Sequence, residues 1–310
     1  MPPLFFELMA KEKPFYYGGQ AVMGGVMIRG RTSTAIAVRK PDGTIHISSR
    51  PLSTLFKGKW RELFFIRGII VLIESLVLGT GALMYSAQIT TEDEKEKITP
   101  GMMWGSVVLG VLLAVVLFFV LPLLAVRFFD SLIPSAFLSN IIEGLVRIVF
   151  FVLYLIIIGR MAEIKEIFAY HGAEHMSVNA YEAGAPLRTD SVRNYSTAHT
   201  RCGTSFLLVV LVISIVVFAL LGRPALWISI ISRILLIPVI AAVSYEIIRF
   251  EAAHSRNKLV YFMLIPGLWL QAMTTRKPDD SKVEVALASL NKALQDDGLR
   301  PTGISAETAV

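Results

Sequence analysis

Four apolar runs of bilayer-crossing length leave few folds open to this chain. A transmembrane helix needs ~20 predominantly apolar residues, and Trp104–Val126, Ile141–Ile158, Phe206–Leu221 and Trp227–Ile248 are runs of this order. Hydrocarbon offers the backbone no hydrogen-bond partner, so such runs form helices. The composition agrees. Hydrophobic residues make up 54% and charged residues 17% of the 310 positions, with a mean hydropathy of +0.62, against ~25% charged residues in a soluble domain. The expected class is a mainly α, polytopic helical membrane protein. It has about four spanning helices, re-entrant or interfacial helices beside them, and a small N-terminal β-hairpin element.

Two further runs fit a span less well. Ile66–Ile89 contains Glu74 and the small residues Gly79, Thr80 and Gly81, and Leu259–Met273 is short and broken by Pro266-Gly267. The latter reads as interfacial or re-entrant. Lys and Arg are concentrated in the N-terminal region, in Arg160–Arg201 and after Arg249, whereas Arg127–Asn140 and Gly222–Leu226 carry one Arg each. The positive-inside rule puts all three basic regions on the cytoplasmic side. That requires four crossings and leaves Ile66–Ile89 as a buried, partly inserted helix. The net charge of +6 then belongs to basic membrane-facing loops, and no nucleic-acid motif accompanies it. Met1–Lys13 lacks the basic start, apolar run and cleavage site of a signal peptide, so the first membrane segment is expected to act as the insertion signal. The single cysteine, Cys202, excludes an internal disulfide.

Residues 1–62 are polar enough to be soluble. Ser33–Arg39 and Thr44–Arg50 flank Pro41-Asp42-Gly43 and alternate through Ile36, Val38, Ile45 and Ile47, the pattern of a hairpin. The preceding Gly18–Gly30 stretch is too rich in glycine for a helix and reads as a strand with tight turns. Residues 63–273 form the helical membrane part, with a soluble segment at 160–205. Residues 274–310 hold an amphipathic helix with Val283, Val285, Ala286, Leu290 and Leu294 on its apolar side, capped by Asp280 or Ser281. A disordered tail is expected after Asp297.

The chemistry concentrates in Tyr170-His171-Gly172-Ala173-Glu174-His175. Histidines at i and i+4 stack on one helix face, so two imidazoles can reach one cation. The order H-x-x-E-H inverts the zinc-protease signature, with Glu174 placed to take a proton from water. This segment is expected to continue the second spanning helix through Met161–Glu182, until Gly184 and Pro186 stop it. His171, His175 and Glu182 then share a face, with Glu174 offset. The third metal ligand is one of His199, Cys202 and Glu182, and the expected cation is divalent, zinc first. The competing reading is two interfacial histidines at a helix end.

His199-Thr200-Arg201-Cys202-Gly203-Thr204-Ser205 lies directly before an apolar run. The dipole of a helix starting there and Arg201 both favour a Cys202 thiolate, a ligand or a nucleophile, with Thr204 or Ser205 as cap. Alternatively Cys202 is a small buried residue and Arg201 a lipid anchor. Arg201 or Arg276 is suited to steadying an oxyanion or a substrate phosphate. Within the apolar runs, Glu143 and Arg147 should neutralise each other, and Glu246 should do so with Arg249 and Glu251. Glu74 lacks a local partner and so suits a polar cavity. His46 reads as a surface residue, and no spacing ties His254 to the histidine pair.

These motifs resemble the YqhQ-like family of bacterial multi-pass membrane proteins, a domain of unknown function. The resemblance rests on Gly18–Met23, Tyr170–His175, Arg201–Phe206, Pro266–Gln271, Thr274–Arg276 and Pro278–Asp280, and spans most of residues 14–295. It implies a metal-dependent enzyme in the bacterial inner membrane, with no assigned substrate. Two positions depart from the family pattern: Gly24 stands where glutamate is usual, and Thr200 where proline is. Were that glutamate a ligand or base in the family, this protein would be impaired, or Glu74 would substitute. The expected function is a membrane-embedded metal-dependent hydrolase, with N-terminus, motif segment and C-terminus cytoplasmic. Its partners would be the bilayer and a membrane peptide or lipid head group. The alternative is non-enzymatic: an ion- or proton-coupled transporter or channel, or a scaffold with a structural metal. No internal repeat supports a transporter.

Overall fold

A computed structural model describes residues 15–54, 63–91, 99–254 and 257–299. The expectations for Met1–Lys13 and for the tail beyond residue 299 lie outside the described residues.

The N-terminal segment builds a four-stranded antiparallel meander. The strands are β1 (Gly18–Val22), β2 (Gly25–Arg29), β3 (Ser33–Arg39) and β4 (Ile45–Pro51), in that spatial order. The expected hairpin is β3–β4, with Gly43 at φ 87 in its turn. The glycine-rich stretch forms a second hairpin, in which Val22 pairs with Gly25 and Gly24 takes φ 63. Glycine adopts this left-handed corner at no steric cost. Strand alternation then separates the side chains into two sets. Val26, Ile28, Ala35 and Ala37 point to one face, and Val22, Met27, Ile36 and Val38 to the other.

Both faces are covered by helices. The second face packs on the C-terminal half of α1 (Ile66–Thr90), through Leu78, Ala82, Tyr85 and Ile89. The first face packs on α5 (Ala162–Glu182), which carries the histidine motif, and on the C-terminal helix α11 (Asp280–Asp296). All five residues expected on the apolar side of α11 are buried there. Its cap is Asp279, whose side chain accepts from Lys282 N, rather than Asp280 or Ser281. Three segments remote in sequence thus share one core.

The remaining helices carry the apolar surface. They are α2 (Pro100–Val115), running through a π-turn at Val116–Val120 into α3 (Leu121–Arg127); α4 (Ala136–Ile158); the one-turn α6 (Thr189–Val192); α7 (Gly203–Leu220); α8 (Leu226–Leu235); α9 (Ile237–Ala253); and α10 (Lys258–Thr274). Among the described residues, four helices are long and apolar enough to cross a membrane: α1, Trp104–Arg127, α4 and α7. The pair α8 and α9, bent by 46°, makes a fifth if counted as one span.

Two helices expected to be continuous are broken. The 227–248 run bends because Pro238 cannot donate to the Ile234 carbonyl. The helix expected to run through Glu182 stops at Gly159, and Met161 is extended before α5 begins. Arg276 fixes that corner by donating from Nη2 to Gly159 O at 2.9 Å.

The charges within the apolar runs are paired, more widely than expected. Glu143 accepts from Arg147 Nη2 at 2.6 Å and from Arg233 Nε at 2.9 Å. Arg147 Nε also donates to Phe118 O at 2.9 Å, a carbonyl in the π-turn that Pro122 cannot serve. Glu246 pairs with Arg67, not with Arg249. Glu74 pairs with Arg29 of β2, 3.0 Å away, which ties it to the sheet.

Candidate functional site

Helix α5 presents His171 and His175 on one face, their ring centroids 4.4 Å apart. The N-terminus of α7 faces them. Cys202 is the N-cap of α7 and accepts from Thr204 N at 3.4 Å, a role the sequence reading gave to Thr204 or Ser205. Cys202 Sγ lies 3.3 Å from His171 Nε2. The ligand atoms of His171, His175 and Cys202 all lie within 4.8 Å of one another.

The other nitrogen of each imidazole is held by the backbone. His171 Nδ1 lies 2.9 Å from Thr274 O and His175 Nδ1 lies 2.6 Å from Thr197 O. A carbonyl only accepts, so each Nδ1 carries the proton in the neutral ring and each Nε2 keeps its lone pair. This is how metal-binding histidines are oriented. Two imidazoles and a thiolate are a donor set suited to zinc, leaving a coordination position open. The residues present therefore fit a divalent cation.

The charges in the site are coupled. Burial opposes the Cys202 thiolate, but the bonds and charges from His171 and His175 outweigh it and pull the pKa down to about 4. Burial likewise opposes a charged His175, but Cys202 and Glu174 hold its pKa up to about 9. Cys202 is thus a thiolate at neutral pH, the form that binds metals or attacks carbon.

The other expected residues surround this cluster. Glu174 is buried, with Oε2 at 3.5 Å from His175 Nε2. His199 stands beside the cluster and outside its ligand set: its ring is 5.6 Å from that of His175, and Nε2 points to Glu182 Oε2 at 3.6 Å. Glu182 also stands outside the three-residue cluster; it pairs with Arg201 and faces His199. Burial opposes its charge, and these two partners keep its pKa below the usual carboxylate value. Arg201 stacks over the Tyr16 ring at 3.9 Å. Arg276 is committed elsewhere, bonding Phe168 O and Gly159 O. His46 bonds Tyr85 at 2.8 Å, and His254 stacks on Phe250 in solvent. Neither Glu74, which is paired with Arg29, nor Gly24 is among the residues of the cluster or of the cavity that opens onto it.

A cavity of ≈170 Å³ opens onto the cluster, lined by Tyr16, Tyr17, Gly18, Gly19, Glu174, His199, Arg201 and Gly203 besides His171, His175 and Cys202. Two supports of this site escaped the sequence reading. Gln271 is fully buried; it accepts from His199 N at 2.8 Å and donates to His199 O at 2.9 Å, pinning the loop before Cys202. A buried amide in an apolar helix was the available signal. The second is Gly172, where a Cβ would sit 2.1 Å from Arg276 O. Only glycine lets the segment leaving α10 at Thr274–Arg276 pass close enough for Thr274 O to hold His171.

Gly172→Ala therefore tests the site's construction. Alanine ordinarily stabilises a helix over glycine by ~1 kcal/mol. Here the overpacking should instead destabilise by about 1–3 kcal/mol and reduce metal retention, read by thermal unfolding and metal analysis. Gly81→Ala in α1, where a Cβ meets nothing within 4 Å, should be neutral or stabilising.

Comparison with known proteins shows the family and assigns no activity. Residues 63–296 match the family described as "Protein of unknown function (DUF1385)". The chain is 34% identical over 306 residues to "Uncharacterized protein YqhQ" of Bacillus subtilis (strain 168), covering 94% of this chain and 96% of that protein. No solved structure matches. By the extent of both matches, this chain belongs to the DUF1385, YqhQ-like family.

Proposed function

We propose that this protein is a membrane-embedded, metal-dependent hydrolase whose site lies where the helical bundle meets its soluble cap. One observation carries the reading: a ring nitrogen from each of His171 and His175 and the Cys202 sulfur converge within 4.8 Å, with both Nδ1 atoms tied to backbone carbonyls. A divalent cation held by His171, His175 and Cys202, zinc by donor type, would supply Lewis acidity and lower the pKa of water. Glu174 takes the proton from the attacking water. Arg201, held by Glu182 at the cavity wall, meets the negative charge that develops on the substrate.

Parity of crossings supports the membrane arrangement. The sheet, α5 and α11 share one core, so they lie on one side of the bilayer. An even number of spans then separates the sheet from α5, and α5 from α11. The first pair is α2–α3 with α4; the second is α7 with the bent α8–α9. Helix α1 is long enough to span, but half of it covers the sheet, so it inserts only in part. Exposed side chains such as Leu109, Leu112, Val149, Leu153, Val212 and Val216 face lipid. By the positive-inside rule, the basic loops support a cap on the cytoplasmic side of a bacterial inner membrane. Protease added to inside-out vesicles should cut within Arg188–Arg193, and protection of that segment there would contradict this topology.

A second reading has its own observation, the 3.3 Å contact of Cys202 Sγ with His171 Nε2. A thiolate beside an imidazole at a helix N-terminus is also the arrangement of a cysteine nucleophile. Iodoacetamide separates the two. If Cys202 is a ligand, zinc should slow its alkylation and a chelator restore it. If it is a nucleophile without a metal, the chelator should change nothing.

A further inference from the structure

The strand that borders the metal-binding cavity is an edge strand, and the direction of its free hydrogen-bonding groups follows from the register. Arg39 N donates to Gly24 O at 2.8 Å, which makes Gly25–Val38 a non-hydrogen-bonded pair of β2 and β3. The backbone groups of Gly25, and by alternation of Met27 and Arg29, therefore point toward β1. Their partners are Val22, Gln20 and Gly18. The N–H and C=O of Gly19 and Ala21 consequently point away from the sheet, and among the described residues no strand lies beyond β1.

This free edge runs into the cavity. Gly18 and Gly19 line it together with His171, Glu174, His175 and Cys202. Gly19 is exposed and has no side chain to keep another backbone at a distance. A chain laid along β1 would form ladder bonds to Ala21 and Gly19 and carry its next peptide carbonyl to the mouth of the cluster. Two features that other proteins use to protect such an edge are missing: β1 bears no lysine and no proline.

We propose that the substrate of this site is an extended polypeptide segment, bound by adding a strand to the free edge of β1. This rests on the hydrolase reading for what happens to the bound chain, but not for the binding itself. Recognition through backbone groups makes the sequence requirement loose and the conformational requirement strict: the segment must be unfolded or a flexible flank of a membrane protein. Hydrolysis adds water across one peptide bond, with the hydroxyl going to the carbonyl carbon and the proton taken up by Glu174 passing to the departing amine.

The test is fluorescence anisotropy on the full-length, detergent-solubilised protein with chelator present, so that binding is read without turnover. The probes are a short labelled peptide of alternating valine and serine and the same peptide N-methylated at its central backbone nitrogens. The unmethylated peptide should bind, and the methylated one at least about tenfold more weakly, as the loss of one or two ladder bonds implies. Ala21→Pro removes an outward N–H and leaves the β1–β2 bonds in place; it should weaken binding by a similar factor. A Gln20→Glu control, altering a side chain on the opposite face, should keep the affinity if it melts where the wild type does. Equal binding of both peptides, or no binding, would overturn the proposal even if Ala21→Pro proves too unstable to study. Hydrolysis of phosphatidylglycerol vesicles without peptide binding would also overturn it and leave the metal site standing. Peptide binding by a protein that retains no metal would uphold it and remove the hydrolase reading.

Discussion

Glu174→Gln should abolish hydrolysis while leaving the metal in place. The carboxylate lies in the cavity beside His175 and is buried, and glutamine keeps its shape without a group able to take a proton. Loss of a positioned general base costs about 10²–10⁴-fold in turnover. None of the three ligand atoms is touched, so metal content and melting temperature should stay near the wild-type values. The pairing of outcomes is what discriminates. Activity and metal lost together would give Glu174 a structural role. Activity retained with the metal would remove it from the mechanism.

The second large effect is expected far from the site. Glu143 is buried between two buried guanidinium groups, Arg147 of its own helix and Arg233 of α8. Arg147 further binds the π-turn through Phe118 O and α7 through Ser214 Oγ at 2.9 Å. One carboxylate thus connects four elements of the apolar bundle. Replacing it with leucine leaves two positive charges facing each other with no counter-ion. Breaking a buried pair costs about 3–5 kcal/mol, whereas replacing all members with apolar residues is often neutral. Glu143→Leu should therefore lower the melting temperature sharply in detergent, and the triple variant Glu143→Leu/Arg147→Met/Arg233→Met should recover most of the loss. A single variant that melts with the wild type would show the cluster to be hydrated rather than buried.

The local chemistry of the site was legible in the sequence because helical periodicity is a local property. His171 and His175 meet at i,i+4 as a helix requires, and Cys202 lies at a helix start because an apolar run begins just after it. Less was legible where two remote segments touch. The residue that joins the two histidines could be narrowed only to His199, Cys202 or Glu182, because the choice depends on how Arg201 and His199 lie against Glu182. The role of Gly172 depends on a segment about a hundred positions away. The same limit applies to the fold. The β3–β4 hairpin and the apolar side of α11 followed from alternation and spacing, but the splitting of the glycine-rich stretch into β1 and β2 and the assembly with α5 into one core did not. Breaks in helices were underestimated: Pro238 sits one residue into α9 and Gly159 ends α4, and both were read through by hydropathy, which does not register a missing N–H.

Metal content tests the cluster of His171, His175 and Cys202 most directly. Purified, detergent-solubilised protein and a His171→Ala/His175→Ala variant would be analysed by mass spectrometry after exposure to zinc and removal of excess. About one zinc per chain in the wild type and none in a variant that still melts cooperatively is the result predicted from the convergence of the two ring nitrogens and Cys202 Sγ. The absence of metal from both, with Cys202 alkylating at the same rate with and without chelator, would contradict it and leave the thiolate–imidazole pair as the chemistry of the site.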